Sequence, residues 1–455
     1  MGTEPDGALA TENGWNRNRT QASLPEAFRS ISVPAGSTFW KRMLAFVGPG
    51  YLVAVGYMDP GNWATDIAAG SAYGYRLLSV VLISSIMAMF LQTLAARLGI
   101  ATGRDLAQAC HDAYSPRTSI FLWLSAEVAI IACDIAEVVG AAIALNLLFH
   151  IPLIVGVLIT ALDVLLVLGL QKRGFRWIET LVITLIASMV AIFLVEIAYA
   201  HPIWAGSNGV LHGFLPTASL VRDHQMLYIG LGILGATVMP HNLYLHSSIV
   251  QTRRFERDAK SLRDSIRFAT IDSSIALVLA FIINAAILVL AAAAFYTHGH
   301  HEVDDIQGAY KLLTPVLGAT MAAPLFAIAL LASGQNSTLT GTMAGQVVLE
   351  GFTRFRISPW LRRLISRLMA IVPAIAVIWI YGDAGTGKLL IQSQVVLSIQ
   401  LSFAVVPLVQ FTSSRAKMGQ FANSRLITCI AWIMAAVIAI LNGYLTYTIL
   451  VHGMP

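Results

Sequence analysis

Asp59, Asn62 and Met239 carry donor types that hold a divalent ion, and each stands beside a helix breaker. The first stretch reads Gly56-Tyr57-Met58-Asp59-Pro60-Gly61-Asn62 and the second Ala236-Thr237-Val238-Met239-Pro240-His241-Asn242. Both follow the pattern small-x-x-ligand-Pro-x-Asn, 180 residues apart (59 to 239). Carboxylate, carboxamide and carbonyl oxygens suit hard cations. A thioether does not suit Ca²⁺ or Mg²⁺; its soft electrons favour transition metals. Oxygen and sulfur together point to Mn²⁺, Fe²⁺ and their neighbours. Met239 taken alone reads as packing, but beside Pro240 and opposite Asp59 it reads as a ligand.

The elements that must position these residues lie in lipid. The chain has 455 residues, 57% hydrophobic and 12% charged, with a mean hydropathy of +0.72. Apolar runs of about 20 residues recur, each long enough to cross a hydrocarbon core of ~30 Å as a helix. Barrel strands would be shorter and would alternate. The sequence therefore predicts an all-α polytopic membrane protein with eleven spans, at roughly 42–70, 75–98, 118–147, 151–170, 177–200, 225–252, 266–296, 312–350, 364–381, 387–411 and 425–451. The eighth is too long for one straight crossing, and its end is expected to run along the inner surface. Residues 1–40 are polar and read as a disordered cytoplasmic tail with no signal-peptide pattern. The three cysteines, Cys110, Cys133 and Cys429, show no metal spacing and read as buried thiols.

Alternate connections are basic: Lys41 and Arg42; Arg97, Arg104 and Arg117; Lys172, Arg173 and Arg176; Arg253 to Arg267; Arg354 to Arg367; Arg415 to Arg425. By the positive-inside rule the N-terminus is cytoplasmic and the C-terminus extracellular or periplasmic. The net charge of +5 thus reports topology and not a nucleic-acid partner. The two breaker motifs are five spans apart, an odd number, so they cross in opposite senses. This is an inverted repeat, with residues 41–200 as the first copy, 221–411 as the second and 423–455 as a further helix. Pro60, Gly61 and Pro240 open the helices, and unwound backbone in lipid is tolerated only where it lines a cavity or is otherwise satisfied. A carboxylate at that depth is costly and by default functional.

DPGN at 59–62 and MPHN at 239–242 resemble the Nramp family of divalent metal transporters, in particular its bacterial proton-coupled manganese transporters. AEVAIIACDIAEVVGAAI (126–143), LYLHSSIVQTR (243–253), ASGQNSTLTGTMAGQVVLEGF (332–352) and SQVVLSIQLSFAVVPL (393–408) extend the likeness over about residues 45–411. The resemblance implies a LeuT-like fold, with spans 1–5 and 6–10 as the repeats and helices 1 and 6 unwound at mid-membrane. It implies metal ligation by Asp59, Asn62, Met239 and the Ala236 carbonyl, with the Gly56 carbonyl joining in some conformations and Gln394 approaching. Asn336 stands where the family usually has serine, and Ser402 where it usually has proline; neither belongs to the ligand set.

Span three carries Glu127, Asp134 and Glu137, at offsets of seven and three, on one helical face. They cover ~15 Å at 1.5 Å per residue, a ladder of acids from the depth of the site to the inner surface. His241 is placed to sit between the metal and Glu137, and Arg367, the deepest arginine of span nine, to pair with the acids. The ladder suggests proton passage from Asp59 through His241, Glu137, Asp134 and Glu127; a structural salt-bridge network is the alternative, as is a backbone hydrogen bond for His241.

The expected function is secondary import of Mn²⁺, with Fe²⁺ and other transition metals, coupled to proton influx by alternating access. No prosthetic group is expected; the partners are metal, protons and lipid, in a multi-pass monomer of the bacterial inner (plasma) membrane. A sodium-coupled solute symporter of the same fold and a membrane-embedded metalloenzyme are the alternatives. The enzyme reading lacks HExxH and would give zinc a poor thioether ligand. GDAGTGKL at 382–389 nearly fits a phosphate loop but ends in Leu389 and lacks the magnesium-binding hydroxyl. HGHHEVDD at 298–305 reads as a hydrophilic outer loop.

Overall fold

Proline, glycine and capping side chains cut the apolar chain into sixteen helices of eight or more residues among the described residues. The computed structural model describes residues 15–17, 22–34, 38–162, 175–303, 305–318, 320–382 and 385–452. Helices α1 (Phe39–Phe46), α2 (Pro49–Gly56) and α3 (Pro60–Tyr73) are followed by α4 (Leu78–Thr102), which ends at left-handed Gly103. Next come α5 (Leu106–Ala113), α6 (Pro116–Phe149), α7 (Leu153–Thr160) and α8 (Phe175–Ala200). The second half runs α9 (His224–Val238), α10 (Pro240–Ile249), α11 (Ala259–Ala294), α12 (Ile306–Leu317) and α13 (Ala322–Thr353). It closes with α14 (Pro359–Tyr381), α15 (Gly385–Ser413) and α16 (Arg425–His452). Starts are written locally: Pro116 follows an Ser115 cap, and Asp105, Asp223 and Asp258 accept from the first free N–H groups of α5, α9 and α11.

Eight helical stretches among the described residues are long and apolar enough to cross a membrane, against the eleven spans read from sequence. The difference has physical causes. The first span is broken at residues 57–59, so its second half is too short by itself and runs on into α4. The fourth, read at 151–170, is described only as far as residue 162; residues 163–174, with Lys172 and Arg173, lie outside the described ones. The eighth, α13, carries the run Ser-Gly-Gln-Asn-Ser-Thr in its middle, which lowers its hydropathy. Its expected range of 312–350 is also interrupted: α12 ends at left-handed Gly318, and α13 is one continuous helix from Ala322 to Thr353.

The core is built around the broken helices. The apolar window of the stretch containing α9 and α10 is wholly buried, whereas only 28%, 28% and 22% of the apolar windows of α8, α14 and α16 are buried. Those three helices therefore present apolar faces to lipid. α13 packs along α6; α11 packs on α2, α3 and α4; α9 lies against α3, α4 and α15. Cys110 and Cys133 are buried free thiols, but Cys429 is exposed, because it lies on the peripheral α16.

The tail also departs from its reading. Trp15 is 2% exposed, and Leu24 is buried. Strand β1 (Ile31–Ser32) pairs in parallel with β2 (Arg253–Arg254), in the register Ile31 to Arg253. Where it is described, residues 15–34 are docked on the helices, since Trp15 finds a slot that its polar neighbours in sequence do not advertise.

Candidate metal centre

At the first break the chain tightens before it opens. Tyr57, Met58 and Asp59 donate their N–H groups three residues back, to Ala54, Val55 and Gly56, at 3.1, 3.1 and 3.3 Å. The Gly56 carbonyl is therefore engaged by Asp59 N–H. Asp59 then caps α3: its Oδ1 accepts from Asn62 N at 2.8 Å and from Asn62 Nδ2 at 2.7 Å. The opened carbonyls are not left bare. Tyr57 O accepts from Asn284 Nδ2 at 2.8 Å, and Met58 O from Trp63 Nε1 at 3.3 Å and from Ser333 Oγ. Pro60 packs where Gly140 of α6 has no side chain, and a Cβ on Gly61 would run into the Gln394 carboxamide.

The second break is built differently. Met239 has φ 27° and ψ 101°, a left-handed conformation unusual for a non-glycine residue. It joins α9 to α10 with no side-chain cap, and Pro240 takes the first helical position. Asn242 Nδ2 lies 3.5 Å from Met239 Sδ and 3.4 Å from the Val53 carbonyl of α2. A Cβ on Gly56 would meet Met239 Sδ at 3.2 Å, so the two breaks are in contact.

They meet through one amide. Asn62 Nδ2 donates both to Asp59 Oδ1 and, at 3.1 Å, to the Ala236 carbonyl. A carboxylate from one repeat and a carbonyl from the other thus converge on a single positively polarised nitrogen. Gln394 Nε2 reaches Asp59 Oδ2 at 3.4 Å, while Gln394 Oε1 has no partner. Asp59, Asn62, Ala236, Met239 and Gln394 are all at most 1% exposed, so the site is shut on both sides. No group of three or more His, Cys, Asp or Glu side chains able to hold a metal occurs among the described residues. The donor set here contributes one such residue, Asp59, with amide, carbonyl and thioether atoms beside it.

The acids of α6 lie against arginines of α14. Arg362 pairs with Glu127 at 2.9 Å, Arg363 with Asp134 at 2.8 Å and Glu137 at 3.2 Å, and Arg367 with Glu137 at 3.4 Å. Glu137 also accepts from Thr338 Oγ1 at 3.2 Å. His241 does not touch Glu137 directly: its Nε2 lies 3.8 Å from Cys133 Sγ, which lies 3.8 Å from Glu137 Oε1. His241 Nδ1 is buried without a partner.

One side of the site is sealed by a second polar layer. Gln92 Nε2 donates to Tyr57 Oη at 2.6 Å, and Gln92 Oε1 lies 3.0 Å from His246 Nδ1. Below it, Arg253 pairs with Glu179 at 2.7 Å and donates to the carbonyls of Phe46 and Val47 at 3.2 and 2.6 Å. Asp272 accepts from Gly50 N at 2.7 Å. The start of α2 is thereby pinned. Asn242, Asn284, Cys133, Arg363 and this polar layer were not picked out as site residues from sequence. Asn242 had a signal, since it closes the same motif as Asn62.

Residues 50–448 match the family profile described as natural resistance-associated macrophage protein-like, Nramp. The chain belongs to the Nramp family. It is 56% identical over 437 residues to a Listeria innocua protein named divalent metal cation transporter MntH, covering 96% of this chain and 97% of that one. It is similar to the Eremococcus coleocola manganese transporter solved with an aromatic bis-isothiourea substituted compound, with TM-score 0.86 and 41% identity over 95% of this chain and 93% of the other. The nucleobase-cation-symport-1 transporter Mhp1 shares the fold alone, with TM-score 0.59 at 14% identity over 96% of this Nramp chain and 93% of its own. Nramp proteins are membrane transporters and not enzymes, and the fold is LeuT-like.

Proposed function

We propose that this Nramp protein imports Mn²⁺, and Fe²⁺ and other divalent transition metals, together with protons, by alternating access. The convergence of Asp59 Oδ1 and the Ala236 carbonyl on Asn62 Nδ2 carries this reading. Two acceptors from opposite repeats already share one polarised donor, and an arriving cation replaces that donor. The Asn62 carboxamide then turns over, so that its Oδ1 joins Asp59, the Ala236 carbonyl and Met239 Sδ, with Gly56 and Gln394 contributing as the breaks shift. Sulfur in the set excludes Ca²⁺ and Mg²⁺ as good substrates.

Asp59 gives up its proton as the metal arrives. His241, Cys133 and Glu137 form the next step at hydrogen-bonding or near-bonding distance, and Asp134 and Glu127 continue toward the cytoplasm. The arginines of α14 keep these carboxylates from being isolated charges in lipid. The proposal includes eleven spans, a cytoplasmic N-terminus and an external C-terminus, in a monomer of the bacterial plasma membrane.

Proteoliposomes loaded with a pH dye test it. Saturable Mn²⁺ uptake with internal acidification and no Na⁺ requirement is expected. Uptake without acidification would remove the proton pathway, and a Na⁺ requirement would favour the symporter alternative. A metal-soaked structure with Asp59 and Met239 on different ions, or on none, would remove the site.

A further inference from the structure

The described part of the tail is fastened at both ends of its course. At one end Trp15 lies in a slot between α5, α15 and the turn that follows α15: the Arg104 guanidinium is 4.8 Å from its ring, Lys417 Nζ 4.1 Å and the Phe411 ring 5.6 Å. Asn16 donates to the carbonyls of Asp112 and Ala113, at 3.0 and 2.7 Å, and closes the last turn of α5. At the other end Arg29 N donates to Gln251 O at 3.0 Å, and Val33 N to Arg254 O at 3.3 Å, around the β1–β2 pair. Between them Leu24 and Ala27 roof a cavity of about 190 Å³ whose other walls include Ile178 of α8 and Met343 and Gln346 of α13.

Two features set this apart from a tail that merely rests on the surface. It spans both repeats, since α5 belongs to the first and β2, the turn before it and α15 to the second. Moreover, β2 contains Arg253, whose side chain grips the Phe46 and Val47 carbonyls at the start of α2. The chain of contact runs from β1 to β2 to Arg253 to α2. α2 runs from that grip to Gly56 at the edge of the first break, so releasing the grip frees the half-helix that leads to the site.

We infer that residues 15–17 and 22–34 form a built-in brake on opening of the cytoplasmic side, clamped by Trp15 at one end and by the β1–β2 pair at the other. This rests on the orientation proposed above, which puts this end in the cytoplasm. The brake biases the protein toward states closed to the cytoplasm, and its release precedes metal discharge. A device of this kind acts on the population of two states and leaves the metal ligands untouched.

Thiol labelling reads that population. Two reporters in a Cys429→Ser background read it, since the two remaining thiols are buried: Met343→Cys, in the cavity under the tail, follows undocking, and Ala54→Cys, fully buried on α2, follows opening, so a rise at 343 with none at 54 would overturn the brake. An impermeant maleimide is applied to full-length protein in everted vesicles and in intact cells. Trp15→Ala should raise the labelling rate in everted vesicles about tenfold, as loss of two cation–π contacts and a buried ring implies. Val33→Pro removes one N–H donor in an already extended segment and should raise it about threefold. Trp15→Phe keeps a ring for both cations and should stay near the parent rate. All variants must elute as the parent does in size exclusion. Equal labelling in the parent, Trp15→Ala and Val33→Pro would overturn the brake. A reporter that labels from outside in intact cells, and not in everted vesicles, would overturn the orientation instead.

Discussion

The two breaks have the same sequence pattern and opposite mechanics. At the first, Asp59 sits at φ −67° and its own carboxylate satisfies the helix that follows, so the break is relaxed and self-capped. At the second, Met239 sits at φ 27° with no cap, and its sulfur has one weak amide neighbour, Asn242. The proposed hard ligand is thus held by local hydrogen bonds. The proposed soft ligand is held by backbone strain of order 1–3 kcal/mol, which the surrounding packing must offset. An inverted repeat can therefore keep its symmetry in position and give it up in chemistry. On the proposed function, the carboxylate must leave bonds to its own helix in order to meet a cation, whereas the thioether has few to leave.

The largest expected effect breaks the first half of that contrast. Asp59→Asn keeps an N-cap oxygen, so α3 should still form and the protein should still elute as the wild type does. It loses the only charge among the ligands, and Mn²⁺ uptake should fall by more than about 100-fold. Uptake within a few fold of wild type would mean that the metal does not rest on Asp59. Next in size is Glu137→Gln. Metal-driven acidification should drop about tenfold or more, while Glu127→Gln, whose side chain is 19% exposed and paired with the more peripheral Arg362, should change it much less. Equal effects at the two positions would favour a structural network over a directed path.

Met239 tests the other half. Met239→Ala should weaken Mn²⁺ uptake about tenfold, or ~1.4 kcal/mol, and should admit Ca²⁺ or Mg²⁺ in competition assays, because only the sulfur argues against them. Met239→Gly removes the same sulfur but accepts a positive φ without penalty. It should melt above Met239→Ala by the equivalent of about 1 kcal/mol. At Asp59, with its ordinary φ, glycine should be the less stable of the same two replacements. If glycine brings no gain over alanine at 239, the strain argument is wrong even if the selectivity argument stands.

How much of this was legible follows from what each signal costs in lipid. Asp59, Pro60, Met239 and Pro240 stand out because charge and broken backbone are expensive inside an apolar run. Asn284 offered a weaker signal of the same kind, a lone carboxamide in the apolar α11, but its partner Tyr57 O is 227 residues away and only folding brings them together. Cys133 looked like an ordinary buried thiol until His241 and Glu137 arrived on either side of it. Depth along α14 singled out Arg367, yet it is Arg363, one turn earlier, that reaches two acids. The docked tail was illegible for a different reason. Composition weighs the tail's own residues, and Trp15 is held by Arg104, Phe411 and Lys417, which come from distant parts of the chain.

The smallest expected effect compares the buried breaks with the surface brake through pH. Arg17 Nη1 lies 2.8 Å from His111 Nε2 at the end of α5. A guanidinium only donates, so the ring nitrogen must accept and the imidazole must be neutral. Burial first, and then the charges of Arg354 and Arg17, push His111 below its ordinary range, against the opposing pull of Asp112. The undocked tail removes Arg17 and lets His111 titrate closer to about 6.5. Undocked chains therefore bind the proton more readily. The docking free energy is complete above that range and is lost as pH falls toward the lower, docked value. Labelling at position 343 in the Met343→Cys reporter, divided by the rate of a free thiol labelled in the same buffer because maleimide consumes the thiolate, should rise about two- to threefold between pH ~7.5 and ~5.5, and His111→Gln should flatten that slope while leaving the Trp15→Ala effect in place. A slope that survives His111→Gln would assign the pH response to the acids around the metal site, and the brake would then be blind to cytoplasmic pH.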